Sequence, residues 1–133
     1  MILGNNKIYI KKGNNFPLIK YFISEEVMIE YNISKEMLNN IAVTFSMTDV
    51  NNGNYVVANE AGEMILLNEY RNPHNNEYCL VYQLNVDDTQ EVGRYEGEFI
   101  VDFLGDYEYK MTFPVNKKIE IIITDSITNT TVI

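Results

Sequence analysis

Apolar and polar residues alternate with period two along much of the chain, most clearly between residues 86 and 113. Tyr95, Gly97, Phe99, Val101 and Phe103 fall on one side of an extended segment, with Glu96, Glu98, Ile100 and Asp102 on the other. That is the pattern of a strand with one buried face. After Leu104, Gly105 and Asp106 the alternation resumes, with Tyr107, Tyr109, Met111 and Phe113 set against Glu108, Lys110 and Thr112, so the two segments read as a hairpin. Phe99, Val101, Phe103, Tyr109, Met111 and Phe113 are its expected core. Placing both apolar sets on one face with Val101 opposite Tyr109 and Phe99 opposite Met111 brings Asp102 across from Glu108. Such a like-charge pair costs up to about 1 kcal/mol unless Lys110 bridges it diagonally or a cation sits there. Left in solvent it matters little.

The remaining chain repeats the theme. Ile8 and Ile10 alternate in a first strand, and Gly13-Asn14-Asn15 turns into residues 16–23, which are apolar on both faces as a central or sandwiched strand would be. Residues 27–31 are expected to be extended. Ser34 then caps a single helical turn ended by Asn39-Asn40. One turn cannot stand alone, so Ile33, Met37 and Leu38 are expected to plug an end of the core. Ile41, Val43, Phe45 and Met47 alternate with Ala42, Thr44, Ser46 and Thr48, and the following Asn52-Gly53 favours a type I′ hairpin turn back through Tyr55, Val56 and Val57. Ala61-Gly62 punctuates before a strand at residues 64–67. Residues 68–76, NEYRNPHNN, are the most polar stretch and are expected to form a loop, since Pro73 interrupts pairing. Tyr78, Leu80, Tyr82, Leu84 and Val86 share a face; Phe113-Pro114 breaks the ladder; Ile119, Ile121 and Ile123 make a last strand. About eight or nine strands and one short helical turn predict an all-β, antiparallel β-sandwich. It is expected to occupy residues 1–124, with residues 125–133 a tail that frays or pairs with a neighbouring subunit.

Composition narrows the function classes. A chain of 133 residues is one domain that buries somewhat over about 60% of its unfolded surface without a staple. Lys and Arg number 10 against 19 Asp and Glu, a net charge of -9, which disfavours nucleic acid and anionic membranes as partners. Cys79 stands alone and makes no intramolecular disulfide, which fits assembly in a reducing cytoplasm. The first residues show no basic segment followed by a long apolar one, so no secretory signal is read, and no apolar run is long enough to span a bilayer.

Candidate chemistry is sparse. Glu91-Val92-Gly93-Arg94-Tyr95 has the spacing of a tyrosine corner, in which Gly93 permits the turn and Tyr95 hydrogen-bonds back to the backbone entering it. The alternative is a hairpin-type turn with Tyr95 as an ordinary core residue. His74 is the only histidine, beside Pro73, with no second His or Cys at ligand spacing. Asp87, Asp88, Thr89 and Glu91 offer clustered oxygens to calcium but match no EF-hand pattern, and acidic turns are common. Phosphate-cradling Gly loops and the GxSxG elbow are missing. Glu96 and Glu98 point outward from one strand as a solubilising pair. No catalytic, cofactor-binding or metal-binding residue is assigned, and no enzymatic activity is expected. Of the 10 tyrosines, Tyr9, Tyr21, Tyr55, Tyr70 and Tyr107 are candidates to anchor a partner, against the plainer reading that most line the core. Asn32-Ile33-Ser34 and Asn129-Thr130-Thr131 match the glycosylation pattern, which carries no weight without a secretory signal.

Several segments together resemble the immunoglobulin-like N-terminal domain of tailed-phage baseplate upper proteins. They are the Gly13-Asn14 turn before a strand, LNNIAVTFSM from Leu38 to Met47, YCLVYQLNVDDT, VGRYEGEFIVDF and MTFPVNKKIEIII. The resemblance covers nearly the whole chain and implies an immunoglobulin-like sandwich that acts as a virion structural protein. Such a protein is an adaptor of tail, baseplate or neck, assembled in the host cytoplasm, that binds other phage virion proteins in a homo-oligomer or other symmetric assembly. Family members usually continue into coiled-coil or fibre regions, whereas this sequence stops almost at the domain's end, from which a free-standing adaptor in tail, neck or head decoration is expected. The alternative function is a carbohydrate-binding or adhesion module of a phage or bacterial surface.

Overall fold

Ile-, Val- and aromatic-rich segments separated by Asn and Gly turns fold into nine strands in two facing sheets, an all-β sandwich, in the computed structural model. The described residues are 7–69, 72–105 and 108–125. Tyr70, Tyr107 and the tail beyond Asp125 therefore lie outside them. In chain order the elements are β1 (Lys7–Lys11), β2 (Ile19–Ile23), α1 (Glu25–Glu30), β3 (Ile41–Asp49), β4 (Tyr55–Ala61), β5 (Glu63–Glu69), β6 (Asn72–Tyr82), β7 (Gly93–Phe103), β8 (Tyr109–Phe113) and β9 (Ile119–Thr124). One sheet runs β1-β9-β7-β3-β4 with β8 also paired to β7, and the other runs β2-β6-β5. Among the described residues every pairing is antiparallel except β1 with β9, which is parallel.

The strand β7 is the spine. One edge pairs with β3 from Tyr95 to Phe103; the other is shared, with β9 along Gly93 to Gly97 and β8 along Phe99 to Phe103. Pro114, which has no N–H to give the ladder, stands at the break between β8 and β9. The inward residues Tyr95, Gly97, Phe99, Val101 and Phe103 are all buried. Phe45 of β3 stacks on Tyr82 of the opposite sheet, with ring centroids 4.8 Å apart, and tilts against Phe99 at 5.0 Å. This aromatic group joins the two sheets through the middle of the core.

Several expectations are corrected. In the β7–β8 hairpin Val101 faces Met111, Phe99 faces Phe113 and Phe103 faces Tyr109, two residues from the expected register. Period-two patterning specifies which face a residue takes, and a shift of two leaves every face unchanged. Asp102 consequently lies opposite Lys110, not Glu108, with Nζ 3.7 Å from Oδ1. Tyr109, expected in the core, is 58% exposed; it lies at one end of β8, which among the described residues pairs with β7 alone, and Met111 is half-buried against the core.

β2 lies at the edge of its sheet, not at the centre, and the outward half of its apolar pattern, Phe22, is exposed. Residues 25–30 are helical, not extended. Ser24 Oγ accepts from the Val27 N–H at 3.2 Å, Glu25 and Glu26 occupy the first turn, and Asn32 (φ 57°) stops the helix in the left-handed region. The 51–54 turn has Gly53 at φ 75° but no positive φ at Asn52, so it is not type I′. Its shape comes instead from Asp49 Oδ1 and Asn52 Oδ1 accepting the N–H groups two residues on, both at 2.8 Å. Residues 68–76 are mostly strand: Asn68 pairs with Asn76 and Glu69 with Asn72, and Pro73 falls within the register shift between those pairs.

The other helical expectation matches. Ser34 Oγ accepts from Met37 N–H at 3.2 Å, residues 37–39 form a 3-10 turn, and Ile33 and Leu38 are buried with Met37 packed against the core.

Candidate functional site

Tyr95 Oη donates to the Glu91 carbonyl at 2.7 Å, which is the corner geometry. Gly93 opens β7 with extended backbone (φ 159°), so the tyrosine, not a left-handed glycine, holds the corner. Beside it, the Val86–Thr89 3-10 turn is tied from both ends. Asp88 Oδ2 accepts from Asn85 N–H at 2.8 Å, and Thr89 Oγ1, fully buried, donates to the carbonyls of Asn14 at 2.9 Å and Val86 at 3.2 Å. Asp88 is thus occupied as a cap. Among the described residues no group of three or more His, Cys, Asp or Glu is placed to hold a metal. His74 lies on β6. Sequence reasoning singled out Asp87, Asp88, Thr89 and Glu91 as clustered oxygens but not the latch role of Thr89, which depends on a carbonyl 75 positions away.

The sandwich offers two outer faces. On the larger sheet, Arg94 Nη2 lies 2.6 Å from Glu120 Oε2 and Lys7 Nζ 3.8 Å from Glu120 Oε1. Glu96 is directly opposite Glu120, a like-charge neighbour that these two cations offset. Glu98 and Asp102 continue the acidic row along β7, and Tyr9 and Tyr55 stand exposed at the two edge strands. Ser46 also faces this side yet is buried: its Oγ accepts from the Asn59 N–H at 2.9 Å and donates to Asn59 Oδ1 at 3.2 Å. Asn59 is in the left-handed region (φ 50°) where β4 slips register, so Ser46 pins a bulge.

The three-stranded sheet differs. Across its outer face Lys20, Val81 and Glu63 form one row, and Phe22, Cys79 and Ile65 the next. Cys79 and Val81 are buried on the midline while Phe22 and Ile65 are 48% and 41% exposed. A third feature is an open groove of about 550 Å³ at the end of α1, floored by Met28 and Ile33 and edged by Glu25 and Lys35.

The tyrosines proposed as anchors divide. Tyr9 and Tyr55 are exposed, whereas Tyr21 is half-buried and packs on Phe113 at 5.7 Å. Burial raises the Tyr21 hydroxyl above its ordinary value of 10.0, with a smaller contribution from Tyr31. No described helix is long and apolar enough to cross a membrane. Comparison with protein families, with curated proteins and with solved structures returns no match.

Proposed function

We propose that the chain is an immunoglobulin-like assembly module of a phage virion, an adaptor that binds other particle subunits through the faces and edges of its sandwich. The observation that carries this reading is the strand order combined with the tyrosine corner. The order β2-β6-β5 opposite β9-β7-β3-β4 matches the B-E-D and G-F-C-C′ arrangement of immunoglobulin sandwiches, and the corner tyrosine sits near the start of β7, the strand equivalent to F. That supports the sequence resemblance, whose GRYEGEFIVDF segment is β7 itself. Further support is the exposure of Tyr9 and Tyr55 on the edge strands of the larger sheet, since aromatic residues are enriched at protein interfaces.

The test is mass spectrometry of purified particles produced by a host carrying the gene. The chain is expected in stoichiometric amount with other structural proteins. Its absence from intact particles would overturn the reading.

A further inference from the structure

We propose that the outer face of the β2-β6-β5 sheet is a two-fold interface that receives a second copy of this chain. This deepens the assembly reading by naming a surface and its occupant. Three observations carry it. The face is apolar along its centre, with Phe22 and Ile65 exposed on either side of the buried Cys79, and Val81 buried in the adjacent row. Its two flanking charges are opposite: Lys20 on β2 and Glu63 on β5 lie in one row on either side of Val81. Neither has an ion-pair partner among the described residues.

The arrangement is self-complementary. A two-fold axis running along β6 in the plane between two stacked faces exchanges the β2 side of one copy with the β5 side of the other. Lys20 then meets the second copy's Glu63 and Phe22 meets its Ile65, with each of these pairings made twice as an isologous interface requires. Strands lie about 4.8 Å apart, so both charges stand about 5 Å from the axis. The rotation of about 30° between aligned packed sheets displaces them by only about 2–3 Å, within reach of a lysine and a glutamate. A partner of unrelated shape would have no cause to place one cation and one carboxylate symmetrically about the midline; a second copy does. The net charge of -9 opposes association, but that repulsion is screened over about 8 Å at physiological salt. Three strands make a footprint at the small end of stable interfaces, which places dissociation in the micromolar range.

Sedimentation equilibrium of the full chain at concentrations from about 1 to 200 µM spans that range. A monomer–dimer equilibrium is expected. Lys20→Glu and Glu63→Lys should each weaken it at least about tenfold, and the double exchange should bring it back to within about threefold, because the charges again meet as opposites. Phe22→Ser should abolish it, and Tyr55→Ser, on the other sheet, should leave it unchanged. All four positions are exposed, so circular dichroism is expected to show each of the five variants folded. A monomer at the highest concentration, a double exchange that fails to restore association, or equal weakening by Tyr55→Ser would each overturn the proposal. None of these outcomes alters whether the chain is found in particles, so the two readings fail separately.

Discussion

A Cβ on Gly97 would stand 2.6 Å from Phe45 Cζ and 3.1 Å from Ile121 Cδ1, closer than carbons approach without displacement. The glycine is therefore required by the aromatic ring that β3 lays across it, and Gly97→Ala should cost about 1–3 kcal/mol in urea unfolding through overpacking. Tyr95→Phe removes the bond to the Glu91 carbonyl and should cost about 1 kcal/mol. The same tyrosine contributes to alkaline sensitivity. Burial raises its hydroxyl above the ordinary 10.0, with Asp49 and Glu91 adding to the effect; burial also raises Tyr82, with Asp88 and Glu60 adding. Above about pH 10 the unfolded chain gives up these protons while the folded chain keeps them. The stability they contribute is complete below about pH 10 and is lost as pH rises through the higher folded-state values. Urea midpoints should accordingly decline only above about pH 10, less steeply for Tyr95→Phe; an identical slope in that variant would contradict the assignment.

Among the elements, α1 shows how local signals compete. Val27, Met28, Ile29 and Tyr31 suit a strand, and that pattern suggested one. The capping hydroxyl of Ser24, the two glutamates of the first turn and the left-handed Asn32 make a six-residue helix instead, held by burial of Met28 and Ile33. Ser24→Ala should lower stability by about 1 kcal/mol, with a matching loss of amide protection confined to residues 25–31. The β7–β8 hairpin presents a different limit. Its apolar side chains identify both strands, but its register rests on loop geometry, and the ion pair between Asp102 and Lys110 agrees with the observed one. Being exposed, that pair is worth little, and Lys110→Ala should change stability by less than about 1 kcal/mol.

For the molecule as a whole, the Phe45–Tyr82 stack and the Phe45–Phe99 contact place one core between the sheets, so neither sheet has a separate interior. Heat or urea should unfold the chain in a single transition with coincident fluorescence and circular dichroism curves. Phe99→Ala should cost about 3–5 kcal/mol, a large part of the 5–15 kcal/mol typical of such domains, and should move both curves together. Separate transitions for the two probes would contradict a shared core.

The amino-acid sequence by itself determined the strand-forming segments, which residues of β3, β7 and β9 face inward, the corner spacing of Glu91 and Tyr95, and the all-β class. Each is local: period two, turn residues and short-range hydrogen bonds act within a few positions. Tertiary structure alone decided the parallel pairing of β1 with β9, the placement of β2 at an edge, the sharing of β7 by β8 and β9, and the latch from Thr89 to Asn14. It also set Lys20 and Glu63 on either side of Val81. Those features join residues tens of positions apart, and which strands become neighbours depends on how the whole core closes, information that alternation along one segment does not contain.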